Sequence, residues 1–366
     1  MVNATTPEPD PTRPEFRITG QAQYDAWQRR EQPGIEQLRD TVWSVPVPWA
    51  GSPIRYTFCY VVTAADGALV VDPGWDSDEG WALLVETLAR AGRTPEQVSG
   101  IVITHFHPDH LAMVERLRDV SDAWVGLHPA DQRVLGPWHR RTQGLDPEDA
   151  RAAAEREEQW LVRSGVPADA RRAMEMRQGP AGFRLPGPPF RDLVDGDELD
   201  TAAGPMQVLH TPGHTAGSIT LLLPEVSLIL TGDHILPRIT ASIDFGAEHA
   251  GDPLADHYAS LRRCAELATG PLADVEVGPA HEYRFSGLAA RCQALIDAHD
   301  ERSAEILDAI SRVGSRLWDV AAEISWSRGW DGLNPMNRRM ALRETECHLV
   351  HLAAEGRIDE LEERSA

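Results

Sequence analysis

Lysine is absent from this 366-residue chain, so arginine supplies all 35 of its basic residues. Set against 57 acidic residues, these leave a formal net charge of −22 at pH 7. A surface with so much negative charge repels polyanions. We therefore expect nucleic acid to be a disfavoured partner.

Cysteine and long hydrophobic runs are also scarce. Cys59, Cys264, Cys292 and Cys347 are far apart and form no Cys-x-x-Cys pair, which favours reduced, buried thiols. No apolar run approaches the roughly 18 residues that a membrane helix needs. The proline- and acid-rich segment 1–16 lacks the apolar core of a signal peptide and is predicted to be a disordered arm. We expect a soluble, cytoplasmic protein with no membrane partner.

Histidine, by contrast, is concentrated at one place. Three histidines and one aspartate fall within six residues, directly after the apolar run at 101–103, which predicts a buried strand. Imidazole and carboxylate are the ligands of zinc and similar divalent ions. In a loop at the end of a strand, His105 and His107 can aim at one point, and Asp109 and His110 at a second.

Three later predicted strands lead to further candidates of the same kind, namely His210, Asp233 and His281. Side chains at strand ends are held more rigidly than those on long loops. The pattern predicts a catalytic centre for two divalent ions, Zn²⁺ in the first place, with iron and manganese as alternatives. The seven candidates divide into two sets joined by a bridging carboxylate: His105, His107 and His210 for one ion, Asp109, His110 and His281 for the other, and Asp233 between them.

Four short motifs occur together, in this order: Thr-His-x-His-x-Asp-His at 104–110, His-Thr-Pro-Gly-His at 210–214, Thr-Gly-Asp at 231–233 and Pro-Ala-His-Glu at 279–282. In this combination they resemble the metallo-β-lactamase superfamily, and most closely its glyoxalase II-like hydrolases and its β-lactamase-like-protein-2 group. The segment 232–240 and the helical tail, with Arg-Glu-Thr at 343–345 and His-Leu at 348–349, resemble that second group. The resemblance covers about residues 41–360 outside the segment 131–185.

The resemblance implies an α/β fold, an αββα four-layer sandwich with a helical insertion at about 131–185 and a helical C-terminal extension. It divides the chain into a metallo-hydrolase domain at 17–298 and a winged-helix-like helical domain at 299–366. The arginines of the last predicted helix leave open a nucleic-acid-binding role for the tail, but acidic residues on the same helix favour a packing or dimer contact.

The resemblance also implies roles behind the metal ligands. Asp72 matches the buried aspartate that supports the histidine loop, and Thr104 opens that loop. His214 is expected to pack behind His210 and to orient it. Asp109 would be both a metal ligand and the catalytic group that orients a metal-bridging hydroxide for attack on a carbonyl. No Gly-x-Ser-x-Gly elbow is present to supply a serine nucleophile.

The substrate is not determined by these motifs, because one fold hosts many functions. The preferred hypothesis is hydrolysis of an acyl thioester or ester, with a small-molecule or acyl-carrier thioester as partner and a homodimer as one assembly. The alternatives are an endoribonuclease or phosphodiesterase that uses the C-terminal helices, and a single-iron oxygenase of the persulfide dioxygenase type that uses His105, His210 and Asp233. Core packing is the favoured explanation of the two methionines of the insertion, and the wall of an apolar substrate pocket is the alternative. The candidate pocket residues, which come mainly from the insertion, are Trp138, His139, Arg140, Met174, Met176 and Arg238.

Overall fold

The computed structural model describes residues 16–174, 184–243 and 251–359. The arm predicted at 1–16 lies outside these ranges except for Phe16, which is buried and stacks on Phe285 with ring centroids 5.2 Å apart. None of the helices in the described ranges is long and apolar enough to cross a membrane.

Strands and helices alternate along the first part of the chain, and helices dominate the end. The strands are β1 Arg17–Ile18, β2 Glu36–Arg39, β3 Val42–Pro48, β4 Tyr56–Ala64, β5 Gly67–Val71, β6 Val98–Val102, β7 Trp124–Leu127, β8 Arg191–Asp192, β9 Glu198–Leu199, β10 Met206–His210, β11 Ile219–Leu223, β12 Leu228–Gly232, β13 Glu276–Pro279 and β14 Phe285–Ser286. The α-helices are α1 Gln21–Arg29, α2 Asp78–Arg90, α3 Pro108–Leu111, α4 Val114–Arg118, α5 Pro129–Thr142, α6 Pro147–Arg163, α7 Ala168–Met174, α8 Pro253–Leu267, α9 Leu288–Val313, α10 Leu317–Glu323 and α11 Pro335–Ala354.

The strands form two mixed sheets, in the orders β2-β3-β4-β5-β6-β7-β8 and β1-β14-β13-β12-β11-β10-β9. One apolar cluster fills the space between the two sheets. A second lies between the first sheet and the helices α2 to α5, and a third between the other sheet and α1, α8 and α9. These four layers confirm the predicted αββα sandwich.

Strand β4 illustrates why the sequence forms these layers. It is rich in aromatic and β-branched residues, which favour strands, and its side chains alternate between two faces. Phe58 and Tyr60 enter the cluster between the sheets, whereas Cys59 and Val61 face the helices. Both faces are therefore buried, as in the inner layers of a sandwich.

The candidate functional side chains meet because several strands end at the same edge. Strand β5 is parallel to β6, and β12 is parallel to β13. Strand β10 is antiparallel to β11, which is antiparallel to β12, so β10 runs in the same direction as β12. Within each sheet, the loops that follow β5 and β6, or β10, β12 and β13, therefore lie at one end. The two ends meet, because His105 after β6 lies 3.1 Å from His214 after β10.

The insertion predicted at 131–185 contains the helices α5 to α7. Its second half packs against the C-terminal helices: Trp160 and Met174 share one apolar cluster with Leu317, Val320 and Leu342. Met174 is thus a core residue of this junction rather than a pocket wall, and Met176 lies outside the described residues.

The predicted helical extension is confirmed by α9, α10 and α11. Residues 287–359 contain helices and turns but no strand. The described part of the tail therefore offers no support for the wing of a winged-helix-like domain.

Candidate metal centre

Three imidazole nitrogens form the first cluster at the shared edge. His105 Nε2 lies 3.1 Å from His107 Nδ1, and His214 Nε2 lies 3.1 Å and 3.0 Å from these two atoms. The three side chains meet within reach of a single ion. Zinc binds imidazole nitrogen at about 2.0–2.1 Å, so a triangle of this size suits three of its four tetrahedral positions.

The assignment of His210 to this cluster is corrected, because the structure places His214 there instead. His210 is the last residue of β10 and pairs with Ile219, so its side chain lies on the same face as Val208. It stacks on His128 with ring centroids 3.8 Å apart, and its Nε2 lies 3.0 Å from the carbonyl oxygen of Ala216.

His214 reaches the centre through the turn that follows β10. Gly213 has a φ of 143°, and a Cβ there would lie 2.5 Å from His257 Nδ1, so this position requires glycine. The sequence signal for the correct choice was the Pro-Gly turn between the two histidines. Only a residue after that turn leaves the strand and faces the loop of His105.

The second cluster combines imidazoles with carboxylates. His281 Nε2 lies 3.0 Å from Asp233 Oδ1 and 3.5 Å from Asp109 Oδ2. His110 Nε2 lies 3.6 Å from Asp233 Oδ1 and 3.7 Å from Asp109 Oδ2. The other oxygen of Asp233 lies 3.8 Å from His214 Nε2 in the first cluster. Asp233 therefore stands between the two clusters, as predicted for a bridging carboxylate.

Unpaired buried atoms at this second cluster test whether a cation fits. His110 Nε2, His281 Nε2 and Asp233 Oδ1 are buried, and in the described structure they have only each other and Asp109 as polar neighbours, at 3.0–3.7 Å. An unpaired buried polar atom is costly, and nearly all such atoms in proteins have partners. Three that surround one point indicate a missing common partner, and a divalent ion meets the needs of all three.

The opposite ring nitrogens of the histidines are held by neighbouring oxygens. Nδ1 of His281 lies 3.1 Å from the carbonyl oxygen of Tyr56, and Nδ1 of His214 lies 2.6 Å from that of Ser242. A carbonyl oxygen only accepts, so each Nδ1 carries the hydrogen. This leaves Nε2 with a lone pair directed into the centre, the usual arrangement behind metal-binding imidazoles.

Asp72 supports the histidine loop, as the sequence predicted. Its carboxylate accepts hydrogen bonds from the backbone N–H and hydroxyl of Thr104 at 2.8 Å and 2.7 Å, and lies 2.8 Å from His110 Nδ1. Asp72 itself has a φ of 49°. Gly232, which precedes Asp233, leaves no room for a side chain: a Cβ there would lie 2.6 Å from the Thr104 hydroxyl.

Burial and nearby charges shift the histidine pKa values in opposite directions in the two clusters. Burial, reinforced by neighbouring imidazoles, lowers the pKa of His105 and of His107 well below the usual range. At His110 burial acts in the same direction, but the surrounding carboxylates, Asp72 first, outweigh it and raise the pKa to about 10. Asp233 likewise outweighs burial and raises the pKa of His281. The second cluster thus attracts positive charge, which is what a cation site requires.

Of the candidate pocket residues that the structure describes, Trp138 and Arg238 contact chain neighbours of the clustered histidines. Trp138 meets the ring of Phe106 edge-on, with centroids 6.3 Å apart, and Arg238 forms an ion pair of 2.9 Å with Glu282, the neighbour of His281. His139 lies 2.7 Å from the carbonyl oxygen of Leu185. Arg140 is half-exposed and lies 3.8 Å from Asp146, away from the clusters.

Thr57 was not identified from the sequence. Its hydroxyl donates to Asp109 Oδ2 at 3.3 Å, and its side chain is fully buried. A threonine within a strand carries no sequence signal for such a role, since threonine is a common strand residue.

Comparisons with known proteins identify the family of this chain. The sequence model of the metallo-beta-lactamase superfamily matches residues 53–281. The probable metallo-hydrolase YqjP of Bacillus subtilis is 23% identical over 321 residues, which cover 85% of this chain and 91% of that protein. The hydroxyacylglutathione hydrolase of Pseudomonas putida is 29% identical over 239 residues, 64% of each chain.

Among solved structures, the metallo-beta-lactamase family protein TTHA1429 from Thermus thermophilus superposes with a TM-score of 0.70 at 25% identity, covering 87% of this chain and 95% of that one. A beta-lactamase domain protein from Burkholderia ambifaria has the same fold, with a TM-score of 0.69 at 20% identity and 88% of each chain covered. Since the family model spans more than half of the sequence, this chain belongs to the metallo-beta-lactamase superfamily.

Proposed function

We propose that this protein is a hydrolase that uses two divalent metal ions to cleave an acyl thioester or a related carboxylic ester. One observation carries the proposal: a cluster of three imidazoles and a cluster with unpaired imidazole and carboxylate atoms share the carboxylate of Asp233. Two adjacent donor sets joined by a carboxylate match the requirements of a two-metal hydrolytic centre.

The donor atoms suggest which residues hold each ion. The first site would consist of His105, His107 and His214, and the second of Asp109, His110 and His281, with Asp233 between them. Imidazole and carboxylate without thiolate suit zinc, and they also accept iron or manganese. When bound, such ions lower the pKa of a water to near neutrality and polarise the substrate oxygen.

The protein's own groups would orient the attacking water and the donor atoms. Asp109, held by the Thr57 hydroxyl at 3.3 Å, would accept a hydrogen bond from the attacking water and fix its direction. Asp72 and the carbonyl oxygens behind His214 and His281 keep the ring nitrogens in one tautomer. These hydrogen bonds would hold the donor atoms in place before the reaction begins. Such preorganisation is usually the largest contribution to catalysis.

A cysteine nucleophile is not expected to compete with this mechanism. All four cysteines are buried. Burial raises the pKa of the Cys264 thiol to about 12 and that of the Cys59 thiol well above its usual range. Neither is a thiolate at neutral pH, and the thiolate is the nucleophilic form.

The choice of a thioester rests on two further points. One relative is named hydroxyacylglutathione hydrolase, and glutathione carries an acyl group on its thiol, as a thioester. The net charge of −22 without lysine disfavours the polyanionic substrates of nucleases. A small-molecule or acyl-carrier thioester is therefore the proposed substrate class.

Turnover of a panel of substrates tests the proposal. Zinc-loaded protein is expected to hydrolyse at least one acyl thioester or carboxylic ester, measured by thiol or acid release. Neither metal-stripped protein nor the His107→Ala variant should do so. If the zinc-loaded protein binds two ions but turns over no member of the panel, the substrate class is wrong. If it binds no metal, the whole proposal is wrong.

A further inference from the structure

Helix α5 contacts the histidine loop at two points, and both contacts involve Phe106, the residue between His105 and His107. We propose that α5 is a positioning element of the first metal site, and that its Asp131 sets the spacing of His105, His107 and His214. The inference rests on the proposed function, because it assigns a role towards the ions of that centre. The sequence pattern, by contrast, predicts that α5 belongs to an insertion that shapes the substrate pocket.

Asp131 is a fully buried carboxylate in the first turn of α5. Its Oδ2 accepts hydrogen bonds from the backbone N–H of Phe106 at 2.9 Å and from the Thr215 hydroxyl at 2.9 Å. Its Oδ1 accepts one from the backbone N–H of Gly217 at 2.7 Å. One carboxylate thus joins the loop of His105 and His107 to the loop of His214.

The close approach of the second loop requires glycine. A Cβ at Gly217 would lie 2.5 Å from Asp131 Oδ1 and 2.6 Å from the Asp131 backbone nitrogen. Ser218 completes the arrangement, since its hydroxyl accepts from the backbone N–H of Thr215 at 3.0 Å. The backbone that carries His214 is therefore pressed directly against the start of α5.

Trp138 provides the second contact, seven residues along the same helix and so on the same face as Asp131. Its ring lies edge-on to Phe106 with centroids 6.3 Å apart, and the Phe106 ring in turn lies 5.1 Å from that of His107. Helix α5 consequently holds Phe106 by its backbone through Asp131 and by its side chain through Trp138. Leu135, between them in sequence, is buried in the cluster beneath the helix.

The helix is suited to this role for two physical reasons. A carboxylate in a helix first turn is stabilised by the positive end of the helix dipole. Hydrogen bonds to a charged acceptor are shorter and stronger than those between neutral groups. The 3.0–3.1 Å triangle of ring nitrogens depends on two loops from different sheets, and Asp131 contacts both of them.

The test compares Asp131→Asn with Leu135→Ala in the full-length chain. Asparagine keeps the size of the side chain but places an NH₂ group against N–H donors. Leu135→Ala removes apolar packing beneath the same helix and leaves the hydrogen bonds of Asp131 in place. Zinc affinity is measured by competition with a chromophoric chelator, and the cobalt-loaded proteins are compared by their visible spectra. His107→Ala and His281→Ala identify the signals of the first and second sites.

We expect Asp131→Asn to weaken zinc at the first site by roughly 10–100-fold, the range typical of residues behind metal ligands, and to change the cobalt spectrum of that site. Leu135→Ala should lower the melting temperature but keep the wild-type affinity and spectrum. Unchanged affinity in Asp131→Asn, or equal weakening of both sites, overturns the inference. So does equal weakening in Leu135→Ala.

Two further outcomes separate this inference from the proposed function. If Asp131→Asn does not fold, Trp138→Leu decides: weakening confined to the first site supports the role of α5, and wild-type behaviour contradicts it. If the wild-type chain takes up no zinc or cobalt, the proposed function itself fails. A wild type that binds two ions alongside an unaffected Asp131→Asn refutes only the positioning role.

Discussion

The metal centre and a polar seam between α9 and α11 both bury imidazole and carboxylate groups, but only at the metal centre do the unpaired atoms surround common points. The seam consists of His299, Arg302, Glu344 and His348, all buried. It leaves Glu344 Oε2, Arg302 Nε and His299 Nε2 without hydrogen-bond partners in the described structure. No three of the seam's described groups come within reach of one ion.

The difference shows how to interpret buried polar atoms without partners. Atoms that converge, such as His110 Nε2 and Asp233 Oδ1 at 3.6 Å, share a need that a single cation would meet. Atoms that do not converge only lose their hydration, and each is then a cost to stability. Changes at the metal centre should therefore alter ligand binding, and changes at the helical junction should alter folding.

The largest effect is expected from removal of a donor at the metal centre. His107→Ala and His281→Ala should each lose one of two bound ions, measured by metal analysis after gel filtration. The loss of hydrolytic activity should exceed the roughly 10–100-fold that is typical of residues behind the ligands. His210→Ala is the control and should keep both ions, because His210 stacks on His128 outside the clusters. An ion lost in His210→Ala would contradict the corrected assignment.

A large effect on stability, rather than on metal binding, is expected where the insertion meets the C-terminal helices. Trp160 is buried, donates to Glu346 at 2.9 Å and stacks under Arg343 at 3.4 Å. Trp160→Ala should lower the free energy of unfolding by about 3–5 kcal/mol, measured by urea denaturation, because it leaves a cavity and unpaired polar groups. Metal stoichiometry of the folded protein should not change. Val162→Ala, at a position 43% exposed on the same helix, should stay within about 0.5 kcal/mol of wild type.

Glu344 of the polar seam should make the free energy of unfolding depend on pH. Burial raises the pKa of Glu344 to about 7, with Arg302 opposing the shift. The unfolded carboxyl ionises near pH 4.3, so between there and pH 7 the native state becomes less stable by about 1.4 kcal/mol per pH unit. Glu344→Gln removes this loss.

The free energy of unfolding of Glu344→Gln, relative to wild type, should therefore be higher at pH 8 than at pH 4.5 by roughly 3 kcal/mol in denaturation experiments. Glu301→Gln, at an exposed position of α9, controls for the change of net charge. An equal difference at both pH values would mean that Glu344 is ionised in the folded protein.

A smaller effect is expected behind the second cluster. Asp72→Asn should weaken the second ion by about 10–100-fold, because asparagine cannot accept all the hydrogen bonds that Asp72 receives from Thr104 and His110. Competition titration with a chelator measures the change. Asp195→Asn, which contacts the backbone of His210, should leave the affinity unchanged. Wild-type affinity in Asp72→Asn would show that His110 needs no support.

Much of the fold follows from local sequence. Apolar strands such as β6 and the alternating β4 have strong periodic signals, and α9 begins and ends where glycines stand in the chain. The αββα sandwich was predicted through the family resemblance. The use of α6 and α7 as partners of the tail was not predicted, because a helix pattern shows which side is apolar but not what that side packs against.

Prediction of the site was limited in the same way, because local patterns do not show which side chains meet. His105, His107, Asp109, His110, Asp233 and His281 come together as the strand-end pattern predicted. His210 was exchanged with His214, since a strand register decides which of two nearby histidines faces the centre. Asp131 and Thr57 could not be found at all, because an acid in a helix first turn and a threonine in a strand are ordinary residues there.

The sequence by itself determined the donor types, since six imidazole and carboxylate groups stand next to strands that must be buried, and burial of such groups demands a partner. The tertiary structure decided the details of distance: which histidine completes the first cluster, and that the carboxylate of Asp131 contacts both loops of that cluster. Those choices depend on contacts of 2.7–3.1 Å between segments up to 109 residues apart. No local pattern encodes such contacts, because they arise only when two sheets pack face to face.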